Sequence, residues 1–253
     1  MSIKLVVTDL DGCLTAGRGM PVDLQVFGEL NKLRNYIAQD LNTPWLAVIT
    51  ARPQPYLEAI LQLIDGETFG IFEWGCGLFK PISYNISFFP GLNASLRESI
   101  TICKAKLSRY IEGNGIGFVQ PGKEVAVTVY PFNKTSEALE KLYDIVMNWL
   151  SLQELLKDKL RIYKTHTFIN LLPMDINKKT GLEWMLKEVG VLPEYCLGIG
   201  DGQDDLPFLK ECGFSAAPAN AAPILKNEVD YWSNYKYGHG ILDCIRHFIE
   251  ENR

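Results

Sequence analysis

The first hydrophobic block of the chain is short and unbroken, running from Ile3 to Thr8 and stopped by Asp9. A run of that length, closed by an acid, predicts a strand buried on both faces, as in a parallel sheet. Leu24, Phe27, Leu30, Leu33 and Ile37 then recur at three- and four-residue steps and predict a helix. Pro44 opens a second apolar run, Trp45 to Ile49. Pro53 stands where the first turn of another helix would begin, and Tyr56, Ile60 and Leu63 continue it. A third run spans Phe69 to Phe72. Strand, helix, strand, helix, strand implies right-handed crossovers and a parallel sheet.

After Lys80 the rhythm changes. Leu96, Ile100, Cys103, Leu107 and Ile111 space a helix, and a run at Ile116 to Val119 leads into Glu124 to Tyr130. There Val125, Val127 and Val129 alternate with other residues, the period of a half-buried strand. Leu139, Leu142, Val146, Trp149 and Leu150 mark a long helix, and short strands are expected near Leu160 to Tyr163 and Phe168 to Leu172. This order means an antiparallel sheet with helices on one face. Then the first rhythm returns. A helix over Leu182, Met185, Leu186 and Val189 is closed by Gly190, and a buried strand from Tyr195 to Ile199 again runs toward acid, at Asp201. A short helix at Leu206 and Leu209, a strand near Phe214 and a last helix ending Phe248-Ile249 complete the chain. Residues 1–80 and 171–253 therefore form one α/β domain, split by an α+β insert at 81–170.

The 253 residues carry 25 Lys+Arg against 30 Asp+Glu, and 47% are hydrophobic. That composition excludes disorder, collagen and coiled coil. The acidic surplus argues against a nucleic-acid partner that is bound by neutralising phosphates. No segment reads as a membrane span, since the longest uncharged stretch, Pro81 to Leu96, holds two prolines, two asparagines and three serines. Thr8 and Asp9 arrive too early for a secretory signal, so a cytoplasmic location is expected. Six cysteines, at 13, 76, 103, 196, 212 and 244, form no C-x-x-C pair and read as reduced thiols. The histidines at 166, 239 and 247 are too scattered for a histidine metal site.

Candidate chemistry sits where the strands end. Open α/β sheets bind ligands beyond the carboxyl ends of their strands. This chain puts Asp9 and Asp11, Thr50 and Arg52, and Asp201 and Asp205 at such ends, with Lys178 at a later helix start. Clustered carboxylates repel one another unless a cation joins them, and oxygen-only ligands suit a hard ion such as Mg²⁺. Competing readings fail on spacing. Asp9-Leu10-Asp11-Gly12 lacks the fifth and twelfth ligands of a calcium loop, where Cys13 and Met20 stand. Gly117 to Lys123 has G-x-x-x-x-G-K spacing, but Glu124 replaces the hydroxyl residue and Pro121 removes a cradle N–H, so it is not a P-loop.

Four segments in order are Asp9-Leu10-Asp11-Gly12-Cys13-Leu14-Thr15, Ile49-Thr50-Ala51-Arg52, Lys178, and Gly200-Asp201-Gly202-Gln203-Asp204-Asp205. This order resembles the haloacid-dehalogenase superfamily of phosphohydrolases. An insert between the second and third segments is similar to the large-cap group that includes the Cof-like phosphatases and sucrose-phosphate phosphatase. The segment Gly213 to Ala221, Gly238-His239-Gly240 and Leu14 to Arg18 are similar instead to capless 3-deoxy-manno-octulosonate 8-phosphate phosphatases. The resemblance implies a Rossmann-like parallel-sheet core with an inserted α+β cap. It also implies a Mg²⁺-dependent phosphatase acting on a small phosphorylated metabolite, a sugar phosphate or sugar-acid phosphate.

By motif position the resemblance implies that Asp9 is the nucleophile and Asp11 the general acid and base. It further implies that Asp9, Asp201 and the Asp11 carbonyl hold the metal, and that Thr50 and Lys178 bind phosphate. Asp205 would support Lys178 or a metal-bound water. Arg52 is a candidate phosphate contact, with a structural ion pair as the even alternative. Lys179 competes with Lys178, but spacing to Leu182 favours Lys178. Cys13 reads as a small packing residue, because no partner is present to lower its pKa. The cap is expected to close over the site and select the leaving group. Lys164, Thr165, His166 and Asn170 are candidates there, against the plainer reading of Lys164 and His166 as solvated turn residues. Two alternatives remain: a phosphomutase of the phosphomannomutase type, for which Arg18 is suitably placed, and a catalytically silent binding module on the same fold.

Overall fold

The computed structural model describes residues 3–37 and 45–251; Pro44 lies outside the described residues. The chain forms two compact units, one built on residues up to Phe89 and from Asn177 onward, the other on Pro90–Ile176.

The large unit is an α/β sandwich around one eight-stranded sheet. Its strands are β1 (Leu5–Asp9), β2 (Leu46–Ile49), β3 (Phe69–Phe72), β4 (Gly77–Lys80), β5 (Asn85–Phe88), and, returning from the small unit, β10 (Cys196–Ile199), β11 (Phe214–Ala217) and β12 (Tyr231–Trp232). The spatial order is β12-β11-β10-β1-β2-β3-β4-β5, parallel from β12 to β3 and antiparallel at β4 and β5. The helices are α1 (Leu24–Ile37), α2 (Gln54–Ile64), α5 (Lys178–Val189), α6 (Leu206–Leu209) and α7 (Tyr237–Glu251).

Strand alternation sorts the apolar side chains into two layers. Val6, Leu46, Val48, Leu197 and Ile199 join Phe27, Leu30, Leu57, Leu61, Ile241 and Ile245 in one core. Leu5, Val7, Ala47, Ile49 and Cys196 join Leu182, Met185, Phe208 and Leu209 in the other. Both faces of the central strands are therefore covered, which is why the sequence shows unbroken apolar runs there.

The boundary between units falls after Phe89 and after Ile176, not after Lys80 and Asn170 as the change of rhythm suggested. Strand β5 pairs with β4, from Gly77↔Phe88 to Lys80↔Asn85, so 81–89 stay with the large unit. At the other end, Ile169–Pro173 is a strand of the small sheet.

The small unit contains α3 (Ala94–Gly113), β6 (Gly117–Val119), β7 (Val127–Pro131), α4 (Ser136–Ser151), β8 (Leu160–Lys164) and β9 (Ile169–Pro173). Its antiparallel sheet has the order β6-β7-β9-β8. The Asn93 side chain caps α3 by accepting from Leu96 N, and Thr135 caps α4 by accepting from Ala138 N. Among the described residues no helix is long and apolar enough to cross a membrane.

Candidate active site

Strand pairing alone brings the first candidates together. Asp9, the last residue of β1, is level with Ile49 of β2, and Thr8 is level with Ile199 of β10. The next residues on both sides of Asp9 are thus Thr50 and the Gly200-Asp201 turn. Gly12 permits the close approach of the two acidic loops. Its φ is +92°, and a Cβ there would lie 2.2 Å from Asp201 Oδ2.

Lys178 enters from the first position of α5. Asn177 caps this helix through a reciprocal pair with Thr180. A cation at a helix N-terminus is opposed by the macrodipole, and here carboxylates outweigh it. Lys178 Nζ lies 2.5 Å from Asp205 Oδ1, 3.1 Å from Asp9 Oδ1 and 3.4 Å from Asp204 Oδ2. Only 3% of the residue is exposed. Burial works against the ammonium, but Asp204, Asp205 and Asp9 hold its pKa well above the usual lysine range. Lys179 points elsewhere, toward Glu211 and Glu183, so of the two it is Lys178 that joins the acid cluster.

The carboxylates differ in what holds them. Asp205 is fully committed: Oδ1 accepts from Lys178, and Oδ2 accepts from the N–H groups of Asp201 at 2.9 Å and Gly202 at 2.8 Å. Burial nevertheless raises its pKa, against Lys178. Asp204 is held below the usual range by Lys178 and also receives the Trp74 indole N–H at 3.4 Å. Burial pushes Asp9 well above the usual range, with Lys178 opposing and Asp205, Asp201 and Asp204 adding repulsion. Burial and then Asp205 push Asp201 up to about 7.

Asp9, Asp201 and Asp205 each present an oxygen within 4.8 Å of the others. An all-carboxylate set whose members are forced toward protonation is what a hard divalent cation would relieve. The donor chemistry therefore fits Mg²⁺, and Asp9 and Asp201 are the two with oxygens to offer.

Arg52 is not aimed at open space. Its Nε and Nη2 donate to Asp11 Oδ2 and Oδ1 at 2.6 and 2.8 Å, a bidentate fork, and its guanidinium lies 4.4 Å from the Tyr56 ring centroid. Thr50 is buried beside Asp9's strand, its hydroxyl accepting from Arg52 N at 3.1 Å. Glu73 and Trp74, both left-handed at φ 49° and 62°, donate their N–H groups to the Arg52 and Thr50 carbonyls and so brace this turn. Cys13 lies 3.7 Å from Asp201 Oδ1. Burial, then the charges of Asp201 and Asp9, keep its thiol protonated, as expected of a packing residue.

Of the four small-unit candidates, Lys164 is exposed and held by both Glu140 oxygens at 2.7 and 2.8 Å, Thr165 is tied into its own turn, its hydroxyl donating to Phe168 O and accepting from Phe168 N, both at 3.0 Å, and His166 is exposed. Asn170 is fully buried and accepts from the Thr128 hydroxyl at 2.6 Å. Four contributors escaped the sequence reading. Asp204 stood inside the fourth motif without a role. Asn220, whose side chain donates to Gly12 O at 2.8 Å and accepts from Tyr237 N at 2.7 Å, stood inside the Gly213–Ala221 segment. Trp74 left no local signal. Lys123 was passed over with the rejected P-loop spacing, yet it is buried and donates to Thr128.

Residues 123–245 match the family model of the haloacid dehalogenase-like hydrolases. A phosphoglycolate phosphatase of Methanopyrus kandleri is 30% identical over 253 residues, covering 98% of each protein. Another, from Methanothermobacter thermautotrophicus, is 34% identical over 100 residues, 39% of this chain and 45% of that protein. Among solved structures, a Thermoplasma acidophilum protein superposes with a TM-score of 0.74 at 18% identity, over 98% of this chain and 99% of that one. The sucrose-phosphatase of a Synechocystis species, solved with sucrose and phosphate, superposes with a TM-score of 0.65 at 16% identity, over 98% of each chain. At these identities the structural likeness speaks to the fold alone.

Proposed function

The chain belongs to the haloacid dehalogenase-like hydrolases and is a phosphoric monoester hydrolase; from that premise we propose a Mg²⁺-dependent phosphatase for a small phosphorylated hydroxy acid. The observation that carries the reading is Asp9. It is a carboxylate at the carboxyl end of the central strand, with a buried ammonium 3.1 Å away and a second acid turn beside it.

Phosphoryl transfer asks for a nucleophile, charge neutralisation and a proton relay. Asp9 attacks phosphorus, forming an aspartyl phosphate as the ester C–O–P bond breaks on its oxygen–phosphorus side. Asp11 gives its proton to the departing alkoxide, then takes one from the water that cleaves the acyl phosphate, restoring both carboxyls and releasing phosphate. Arg52 orients Asp11, and its fork yields one oxygen when Asp11 carries the proton. Lys178 and the Thr50 hydroxyl balance the phosphoryl oxygens. Asp205 and Asp204 hold Lys178 in place. Asp9, Asp201 and the Asp11 carbonyl would hold Mg²⁺, which when bound would supply the positive charge that lets an anion approach an anion.

Of the expected classes, sugar phosphate and sugar-acid phosphate, the acid is better supported. The relatives that match along the whole chain are named phosphoglycolate phosphatases, and phosphoglycolate is a phosphate ester bearing a carboxylate. The segments similar to 3-deoxy-manno-octulosonate 8-phosphate phosphatases point to a phosphorylated acid as well. The test is phosphate release by purified protein with MgCl₂ or EDTA, from 2-phosphoglycolate and a panel of phosphorylated acids and sugars. Release from 2-phosphoglycolate that stops in EDTA is expected; no release from any ester would sink the reading.

A further inference from the structure

Two turns of the large unit carry the acids of the site, and one distant segment holds both. The first turn closes on itself: Gly12 N donates to Thr15 O at 2.8 Å, and Thr15 N to Leu10 O at 2.9 Å. Neither bond uses the Gly12 carbonyl. That oxygen accepts from Asn220 Nδ2 at 2.8 Å, across 208 residues of chain. The second turn is held two residues further on, where Ala222 N donates to Asp201 O at 2.8 Å. The segment is itself anchored, with Ala219 N donating to Tyr235 O at 2.8 Å and Ala221 N to Pro218 O at 3.0 Å.

The orientation of the Asn220 amide is fixed by its two partners. Oδ1 accepts from Tyr237 N at 2.7 Å, at the left-handed start of α7, where Tyr237 has φ 51°. An N–H only donates and a carbonyl only accepts, so one orientation of the amide satisfies both partners and the flipped one satisfies neither. The two turns touch at the residue Asn220 grips, since a Cβ on Gly12 would lie 2.2 Å from Asp201 Oδ2. The other link between them, from the Cys13 thiol to Asp201 Oδ1 at 3.7 Å, is made by a weak donor.

We propose that Asn220 is a positioning residue for the cation: by holding the Gly12 carbonyl it keeps the peptide after Asp11 at the distance from Asp201 that a small hard ion needs. The proposal rests on the Mg²⁺-dependent reading above and deepens it. Mg²⁺ demands near-ideal octahedral coordination with oxygens at about 2.0–2.1 Å, whereas Ca²⁺ accepts about 2.3–2.6 Å in a flexible arrangement. A loosened gap therefore costs Mg²⁺ more than Ca²⁺.

The test is calorimetric titration of the full chain with MgCl₂ and, separately, with CaCl₂, in the absence of substrate, for wild type, Asn220→Ala and Asn220→Asp. The ratio of Mg²⁺ to Ca²⁺ affinity should fall about tenfold in both variants, the scale for losing a group that orients metal ligands. Asn220→Asp keeps an acceptor for Tyr237 N but has no donor for Gly12 O. Its added charge attracts both divalent ions alike and cancels in the ratio. A lost bond lowers thermal stability whatever its purpose, whereas a purely structural Asn220 would leave the ratio untouched. An unchanged ratio in either variant, or a wild type that binds neither cation, overturns the proposal. Failure of the phosphatase reading looks different: the ratio falls in the variants, yet wild type with Mg²⁺ releases no phosphate from any ester.

Discussion

In the large unit a buried lysine lies among three carboxylates, and Asp205 bonds that lysine and the N–H groups of Asp201 and Gly202 beside it. In the small unit a buried lysine passes a hydrogen bond along two neutral groups to an amide end that meets nothing among the described residues. The first cluster is closed on itself and set by charge, with the acids competing for one cation. The second is open at one end and set by donor direction. Removing an acid of the first should therefore cost rate, removing its ammonium should cost stability as well, and removing a member of the second should cost the stability of the small unit.

The largest effect that comparison predicts is at Asp9. Asp9→Asn should lower turnover by roughly 10⁴-fold or more, the scale for removing a residue of a concerted catalytic set. It should not lower the melting temperature, because it removes one of the mutually repelling buried acids. Single-turnover phosphate release and a thermal melt read both. A variant that keeps appreciable turnover would remove Asp9 from the chemistry.

Next is Lys178→Met. Taking the ammonium away leaves Asp9, Asp204 and Asp205 facing one another in a buried site, and breaking such a buried pair costs about 3–5 kcal/mol. The loss should be largest at pH 8 and smaller near pH 5, where the orphaned acids can take up protons. Urea melts at the two pH values measure it. A loss below about 1 kcal/mol at pH 8 would mean that the cluster is far wetter than its burial indicates.

How much of this was visible beforehand differs between the two clusters for a physical reason. Asp9, Asp11, Thr50, Lys178 and Asp201 were legible because strand ends and a helix start are local features, and pairing of β1 with β2 and β10 then assembles them without further information. The parallel strands were legible too, since burial on both faces leaves an unbroken apolar run. The β4–β5 hairpin was not, as Pro81-Ile82-Ser83-Tyr84-Asn85 reads as a break while Asn85–Phe88 is held by its pairing with β4. Trp74 was invisible because its role follows from a left-handed turn that reaches Asp204, 130 residues away. Lys123, Thr128 and Asn170 meet only through antiparallel register, which no spacing in the sequence specifies, and Asn170 alone carried a hint by lying at the end of the insert.

A smaller effect separates the clusters by pH. Asp201 titrates near 7 in the fold and near 3.8 when unfolded, so between those values the folded state holds the extra proton. Stability of the metal-free protein is then lost as pH rises through that window and levels off above 7. At about 1.4 kcal/mol per pH unit for one proton, the protein in EDTA should be roughly 1 kcal/mol more stable at pH 6 than at pH 8. Mg²⁺ must displace that proton, so its affinity should fall about fivefold from pH 7 to pH 6. Denaturant melts in EDTA and Mg²⁺ titrations over this range check the two signs together; stability rising with pH in EDTA would contradict the raised Asp201.

The smallest predicted effect is at Lys164, and it sharpens the comparison most on the small-unit side. Lys164 and Lys123 are both lysines of the same unit, but Lys123 is buried and donates to Thr128. Lys164, however, is exposed, gripped by both oxygens of Glu140, and lies 4.7 Å from the Tyr143 ring centroid. Its charge is neutralised locally and screened by solvent, so Lys164→Met should change stability by no more than about 0.5–1 kcal/mol. Lys123→Met removes a buried donor to Thr128 and should cost more, about 1–3 kcal/mol, and urea melts of the two variants read the difference. The two lysine variants remove the same charge from the same unit, so a difference between them isolates the buried line from the unit's overall field. Equal loss of stability in both would mean that the line of Lys123, Thr128 and Asn170 adds nothing beyond that field.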